Sequence, residues 1–291
     1  MIPARRRGTR ARRCELAFPN KNLLAARVVQ NETLNTAGTA ASHREAPATA
    51  NRYWLQKHVH LCVAHGHVVM LDLKRDKYLA VASPEELAPW VNGWPVGLGS
   101  PGKASLAAVD HDAPADSAIP ASLSRLVRDG LLTSDPTYGK TAGLATIPRP
   151  CSALVHFQFG TRPRVKPTRA FAVGKAWLSA RIALRRLSLQ RLVERVQERK
   201  ARAHAPCDVQ QARDLVTAFL WLRPLYYSPR GACLLDSLVL LELLAQREMF
   251  PKWVFGIKLA PFSAHCWIQD HDVIWNDTPE YVGSYTPILG I

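Results

Sequence analysis

No two cysteines of the chain stand in a C-x-x-C pair: Cys14, Cys62, Cys151, Cys207, Cys233 and Cys266 are scattered along it. That spacing fits neither a zinc site nor a dense disulfide framework, so no metal is expected and a reducing, cytoplasmic location is. Long apolar runs are missing too. Val68–Leu71 and Leu238–Leu241 are among the longest, far short of the roughly 20 residues that cross a bilayer, so no membrane span is expected. Six arginines crowd the first thirteen residues, but no apolar segment follows them and a secretory signal is not expected. Acidic residues are scarce. The 23 Asp+Glu against 38 Lys+Arg leave a charge of +15, which favours an anionic partner without choosing among nucleic acid, an acidic peptide and a membrane surface.

What is present suffices for a globular core, since 47% of the 291 residues are hydrophobic. Residues 1–50 carry no periodicity and are expected to be a disordered basic extension. Order begins near Tyr53, where Val59, Leu61 and Val63, then Val69, Leu71 and Leu73, alternate with their neighbours as half-buried strands do. Gly66 and the polar "KRDK" supply two turns, giving a three-stranded meander. Ser83-Pro84-Glu85-Glu86 reads as a capping box opening a helix. "SLSRLVRDGLL" places Leu123, Leu126 and Val127 on one helical face that stops at Gly130. Gly93 to Pro120 reads as one helix with long loops. The expected units are 51–135, a linker at 136–150 and a second domain at 151–291. From Gly160 to His204 there are thirteen Lys/Arg against two Glu, and Leu189, Leu192, Val193 and Val196 mark an amphipathic helix. A solvated helix face is preferred to a nucleic-acid stripe, because no aromatic residues interleave the charge.

The densest chemistry lies further on. In "YYSPRGACLLDSLVLLELLAQ", Pro229 and Gly231 break the chain just before Cys233, and the leucines that follow make a helix apolar on nearly every side. Cys233 thus falls in the first turn, where the helix dipole and unpaired N–H groups lower a thiol pKa and can also bind an oxyanion. Trp253–Leu259 and His265–Ile268 then read as strands, closed by Val273–Trp275 and Asp277. Cysteine at a helix start, histidine on a strand and aspartate after the next strand are the nucleophile, base and orienter of a cysteine triad. Turn length decides the third member. A three-residue turn, Asp270 to Asp272, sets Asp277 opposite His265; a two- or four-residue turn sets Asn276 there instead. Cys266 points to the other face and reads as core.

On these residues the segment from about Pro206 to Pro287 resembles the transglutaminase-like domain of lasso peptide biosynthesis B proteins: "RGACLLDSLVLLELL" matches their cysteine helix and "FSAHCWIQ…VIWND" their histidine and aspartate strands. The meander and helices from about Tyr53 to Ser134 resemble the peptide-recognition element that accompanies such domains. The resemblance implies an α+β protein, with a small winged-helix-like recognition domain at 51–135 followed by a transglutaminase-like, papain-like cysteine peptidase domain. It implies a leader peptidase with Cys233 as nucleophile, His265 as base and Asp277 as orienter. The leader of a ribosomal precursor peptide would add as a β-strand to the meander, contacting Val69, Leu71, Leu73 and Tyr78, with Arg125 and Arg128 meeting acidic leader residues. The freed core would pass to a second partner, an asparagine-synthetase-like macrolactam cyclase. No cofactor is expected. No G-x-x-x-x-G-K-[ST] loop is present, so any ATP dependence would be indirect, through that cyclase. Two other readings remain open at this point: transfer of the same thioester to an amine, and a basic winged-helix-like nucleic-acid binding protein.

Overall fold

The computed structural model describes residues 52–95, 119–155, 165–202 and 209–291. The expected disordered extension, 1–50, lies outside the described residues, as does most of the segment Gly93 to Pro120. The architecture is mixed α+β, as expected.

The meander forms as the alternation requires. Val59–Ala64 (β2), His67–Asp72 (β3) and Lys77–Ala80 (β4) make an antiparallel sheet in the order β2-β3-β4. His65 and Gly66 take positive φ in the first turn, and the Asp72 carboxylate ties the second by accepting from Lys74 N, Arg75 N and the Arg75 guanidinium. Trp54–Gln56 (β1) lies between Leu132–Thr133 (β5) and Gly139–Lys140 (β6) in a second small sheet. The capping box does not form. Pro84–Leu87 is a single 3-10 turn in which Ser83 makes no side-chain cap bond, while Glu86 instead accepts from Ser122 Oγ at 3.3 Å. Ala121–Arg128 (α1) ends as expected, with Gly130 at φ 66°.

The central strand is buried on both faces, not one. Val59, Leu61, Val68 and Met70 pack with Leu87, Trp90 and Leu123 in an N-terminal core. The opposite face, Cys62, Ala64, Val69, Leu71, Leu73 and Tyr78, belongs to the large core of the C-terminal domain. Five of the six residues of β3 are accordingly buried. The segment 136–150 is likewise engaged rather than loose: β6 pairs with β1, Leu144 bridges Leu61, and Pro148 O accepts from Gln269 Nε2 at 2.7 Å.

This burial has a consequence for the isolated meander unit. Fully burying a Val or Leu side chain stabilises by about 1.5–3 kcal/mol, against a whole-domain stability of only about 5–15 kcal/mol. A fragment of residues 51–135 exposes Val69, Leu71, Leu73 and Tyr78 and also lacks β6. It is expected to be aggregated or molten by near-ultraviolet circular dichroism; a cooperatively unfolding fragment would contradict the shared core.

The C-terminal domain is a five-stranded sheet in the order Thr286–Gly290 (β11), Lys252–Leu259 (β8), Phe262–Asp270 (β9), Val273–Ile274 (β10) and Ser152–Ala153 (β7, parallel to β10). Four long helices accompany it: Pro167–Arg186 (α2), Leu189–Ala201 (α3), Val209–Leu222 (α4) and Cys233–Ala245 (α5). The amphipathic reading of α3 holds, with Leu189, Leu192, Val193 and Val196 buried. In α5 every residue from Asp236 to Leu244 is buried. A helix apolar all round must be enclosed, and α5 lies between β9 and α2.

Candidate active site

Cys233 is the first residue of α5, reached through Gly231 at φ 72°, a left-handed value that favours glycine. Asp236 N donates to Ala232 O at 2.8 Å and opens the helical ladder. The N–H groups of Cys233, Leu234 and Leu235 therefore precede it and have no intrahelical acceptor.

His265 and Asp277 meet, but not by the expected register. Val273 pairs with Asp270 and Ile274 with Gln269, so the turn is the two residues His271-Asp272, with His271 at φ 49°. Trp275 N then donates to Ile268 O at 2.9 Å, and a continued ladder would set Asp277 beside Cys266. The ladder stops instead. Leaving the sheet at Asn276, the chain swings the Asp277 carboxylate onto His265, whose Nε2 lies 2.6 Å from Asp277 Oδ2. Asp277 Oδ1 accepts from Thr278 N at 2.8 Å, which fixes the carboxylate. Nor does Asn276 stand opposite His265, the outcome the even turn predicts. Its amide is engaged by Ile268 N, Asp236 and Ser237.

Electrostatics follow from these contacts. The Cys266 thiol donates to the Cys233 sulfur and, with the His265 imidazole beside it, holds the Cys233 pKa down at about 4 against the opposing effect of burial. Cys266 itself is 3% exposed, and burial pushes its own thiol well up. It is core, as expected, yet it also touches the nucleophile. Burial disfavours charge on His265, but its hydrogen bonds to Asp277 and Cys233 outweigh that cost and raise it to about 9. With Nε2 taken by Asp277, the other ring nitrogen is the one left for sulfur. Aromatic rings enclose the imidazole: Tyr281 edge-on at 5.1 Å, Tyr285 at 5.2 Å and Trp267 stacked at 6.0 Å. Gly256, opposite His265 across β8 and β9, leaves room for this cage, since a Cβ there would sit 2.9 Å from the Trp267 ring.

Thiolate appears as pH rises through the Cys233 value, and imidazolium is lost as pH rises through the His265 value. Alkylation of Cys233 by iodoacetamide should therefore reach half its plateau near pH 4 rather than at an ordinary thiol value of about 8.5. Any reaction that also needs the imidazolium proton should decline above about pH 9. Peptide mapping of the alkylated protein across pH measures the first limb; a Cys233 that titrates near pH 8.5 would exclude the ion pair.

The three residues line a cavity of about 600 Å³. One wall comes from the N-terminal unit: Asp76 at the β3–β4 turn and Tyr78 on β4, whose ring lies edge-on to Phe262 at 5.7 Å. Cys233, His265 and Asp277 are thus brought together, with Tyr78 beside them. Val69, Leu71 and Leu73, expected to contact a leader, are instead buried in the inter-unit core at 3% exposure or less, where packing against the C-terminal domain has taken the face they share. Arg125 and Arg128 lie on α1, outside the cavity lining. Sequence reasoning missed Asp236, Arg223 and Asp76, and weighed Asn276 only as an orienter of His265. A signal existed for Asp236, which with Glu242 is one of two charges within an otherwise apolar helix, since a buried charge must be paired.

With this geometry in place, sequence comparison is decisive for the C-terminal part: residues 176–290 match the transglutaminase-like superfamily. These residues form a transglutaminase-like domain. The superfamily typically has a cysteine-protease-like enzyme fold, compatible with proteolysis or acyl transfer. No curated protein and no solved structure matches the chain significantly. Among the described residues no helix is long and apolar enough to cross a membrane, and no group of His, Cys, Asp or Glu could hold a metal ion.

Proposed function

We propose that the chain is a cysteine peptidase that cuts the leader from a ribosomally made precursor in lasso peptide biosynthesis. The observation that carries the peptidase reading is the convergence of Cys233, His265 and Asp277 on one cavity, with His265 Nε2 2.6 Å from Asp277 Oδ2 and the Cys233 pKa held low by its surroundings. In this mechanism the Cys233 thiolate attacks the scissile carbonyl, and N–H groups at the α5 start receive the oxyanion. His265 gives its proton to the leaving amine. It then takes a proton from water, which hydrolyses the thioester and frees Cys233. Asp277 holds the ring and stabilises its charge.

The lasso context rests on the resemblance of "RGACLLDSLVLLELL" and "FSAHCWIQ…VIWND" to B proteins. It gains support from the meander, whose β4 is an edge strand of its sheet and leads through Tyr78 into the cavity. A leader hydrogen-bonded along β4 would deliver the following residues to Cys233, with backbone bonds supplying the affinity. The freed core amine would then pass to a macrolactam-forming cyclase of the asparagine-synthetase type, which would bring its own ATP.

The test is incubation of the full chain with a precursor peptide, followed by mass spectrometry. Separate leader and core, the core with a free amine, are expected. An adduct with added primary amine and no hydrolysis would favour acyl transfer. Salt-sensitive binding of mixed DNA, without peptide turnover, would favour the nucleic-acid reading.

A further inference from the structure

The cavity wall also carries a polar cluster, built on Arg223, Asp236 and Asn276, that the proposed reaction does not use. Asn276, 7% exposed, accepts from Ile268 N through Oδ1 at 2.8 Å. Its Nδ2 donates to Asp236 Oδ2 at 2.9 Å and to Ser237 Oγ at 3.3 Å. Asp236, 4% exposed, also accepts from Arg223 Nη1 at 3.0 and 3.1 Å and from the Tyr227 hydroxyl at 2.8 Å. The same Arg223 nitrogen reaches Asn276 O at 3.4 Å, and Ser237 Oγ donates to Cys266 O at 3.2 Å.

Three of its members, Asp236, Ser237 and Asn276, connect directly to the segments that carry the three reacting side chains. Asp236 is one helical turn from Cys233 on the same side of α5. Cys266, whose carbonyl Ser237 holds, follows His265, and Asn276 precedes Asp277. The sheet does not align these groups, because β10 ends at Ile274 and the ladder register points Asp277 at Cys266. Something other than strand pairing must therefore fix where the chain leaves the sheet. An ion pair buried this deeply is weak evidence for stability, since desolvation offsets much of its attraction; fixing geometry is the role it can fill.

We infer that Asn276, braced by Asp236 and Arg223, is a positioning residue that clasps α5, β9 and the Asp277 segment into the geometry in which Cys233 and His265 exchange a proton. This rests on the peptidase reading of the site. In the proposed reaction the clasp makes and breaks no bond. It acts by setting the distances between sulfur, imidazole and carboxylate, a place where a misplacement of about 1 Å costs on the order of 100-fold in rate.

The experiment uses the full chain and two readouts: iodoacetamide alkylation of Cys233 against pH, followed by peptide mapping, and cleavage kinetics on a precursor peptide. In Asn276→Ala the alkylation midpoint should move up from about 4 toward that of a free thiol, about 8.5. The kcat should fall ~100-fold while KM changes less than about 3-fold. A clasp that only braces the fold would lower the folded fraction and leave the pH midpoint of the folded protein in place, and that result overturns the inference. Should Asn276→Ala not fold, Tyr227→Phe removes one donor to Asp236 and keeps the ring. It should shift the midpoint the same way by a smaller amount, and an unchanged midpoint would count equally against the clasp. The two readings fail separately. An ordinary Cys233 titration in the wild-type protein sinks the peptidase assignment, whereas a low wild-type midpoint that neither variant moves sinks the clasp alone.

Discussion

Cys233→Ala is expected to abolish cleavage of a precursor peptide, a loss on the order of 10⁶-fold in kcat, while the fold is retained. The side chain is partly exposed at the head of α5 and only flanks the core, while the fully buried stretch of the helix starts at Asp236. Alanine is also a good helix former there. Binding of the intact precursor should survive within a few-fold, because the β4 edge and the cavity wall from Asp76 and Tyr78 are untouched. Cys266→Ala is the informative comparison. It removes the S–H that donates to the Cys233 sulfur and leaves a small buried void, so it should weaken the thiolate and lower the rate far less than loss of the nucleophile. Single-turnover cleavage and fluorescence-polarisation binding of the same peptide measure both effects. Equal loss in the two variants, with both folded, would assign the nucleophile to the wrong cysteine.

Asp277→Asn should lower turnover by about 10⁴-fold without unfolding the chain. The carboxylate accepts from His265 Nε2 at 2.6 Å and favours the charged ring; an amide is isosteric but neutral and can present its NH₂ to the same nitrogen. The His265 pKa then falls from about 9. Since imidazolium is lost as pH rises through that value, the alkaline limb of the cleavage profile should move to lower pH. Asn276→Ala, in contrast with the expectation from a three-residue turn, should be costly too, through geometry rather than charge. Cleavage profiles of the variants, each checked by circular dichroism, separate the two causes. A nearly wild-type Asp277→Asn would remove Asp277 from the mechanism.

Much of the site can be read in linear order because each part is local. Gly231 before a run of leucines marks both the helix start and its enclosure, so Cys233 at the dipole end follows from neighbours within one turn. Alternation around Val59 and Val69 likewise yields the meander, and spacing from Leu189 yields α3. The turn after Asp270 was less legible. "DHDV" supports two or three residues equally, and the choice was made by His271 entering the left-handed region so that Asp270 could pair with Val273.

Local sequence therefore determined which residues carry the chemistry and on what kind of element each stands, since helix periodicity, strand alternation and turn residues act over a few positions. Tertiary structure decided how they meet. Asp277 reaches His265 because a buried amide and ion pair, drawn from α5, the Arg223 turn and β9, pull the chain out of the ladder after Trp275. Val69, Leu71 and Leu73 became core because a second apolar surface, on the sheet and helices between Leu154 and Ile291, covered the face that alternation alone left open. Burial of that kind is a property of two surfaces brought together, and only one of them is encoded near the strand it covers.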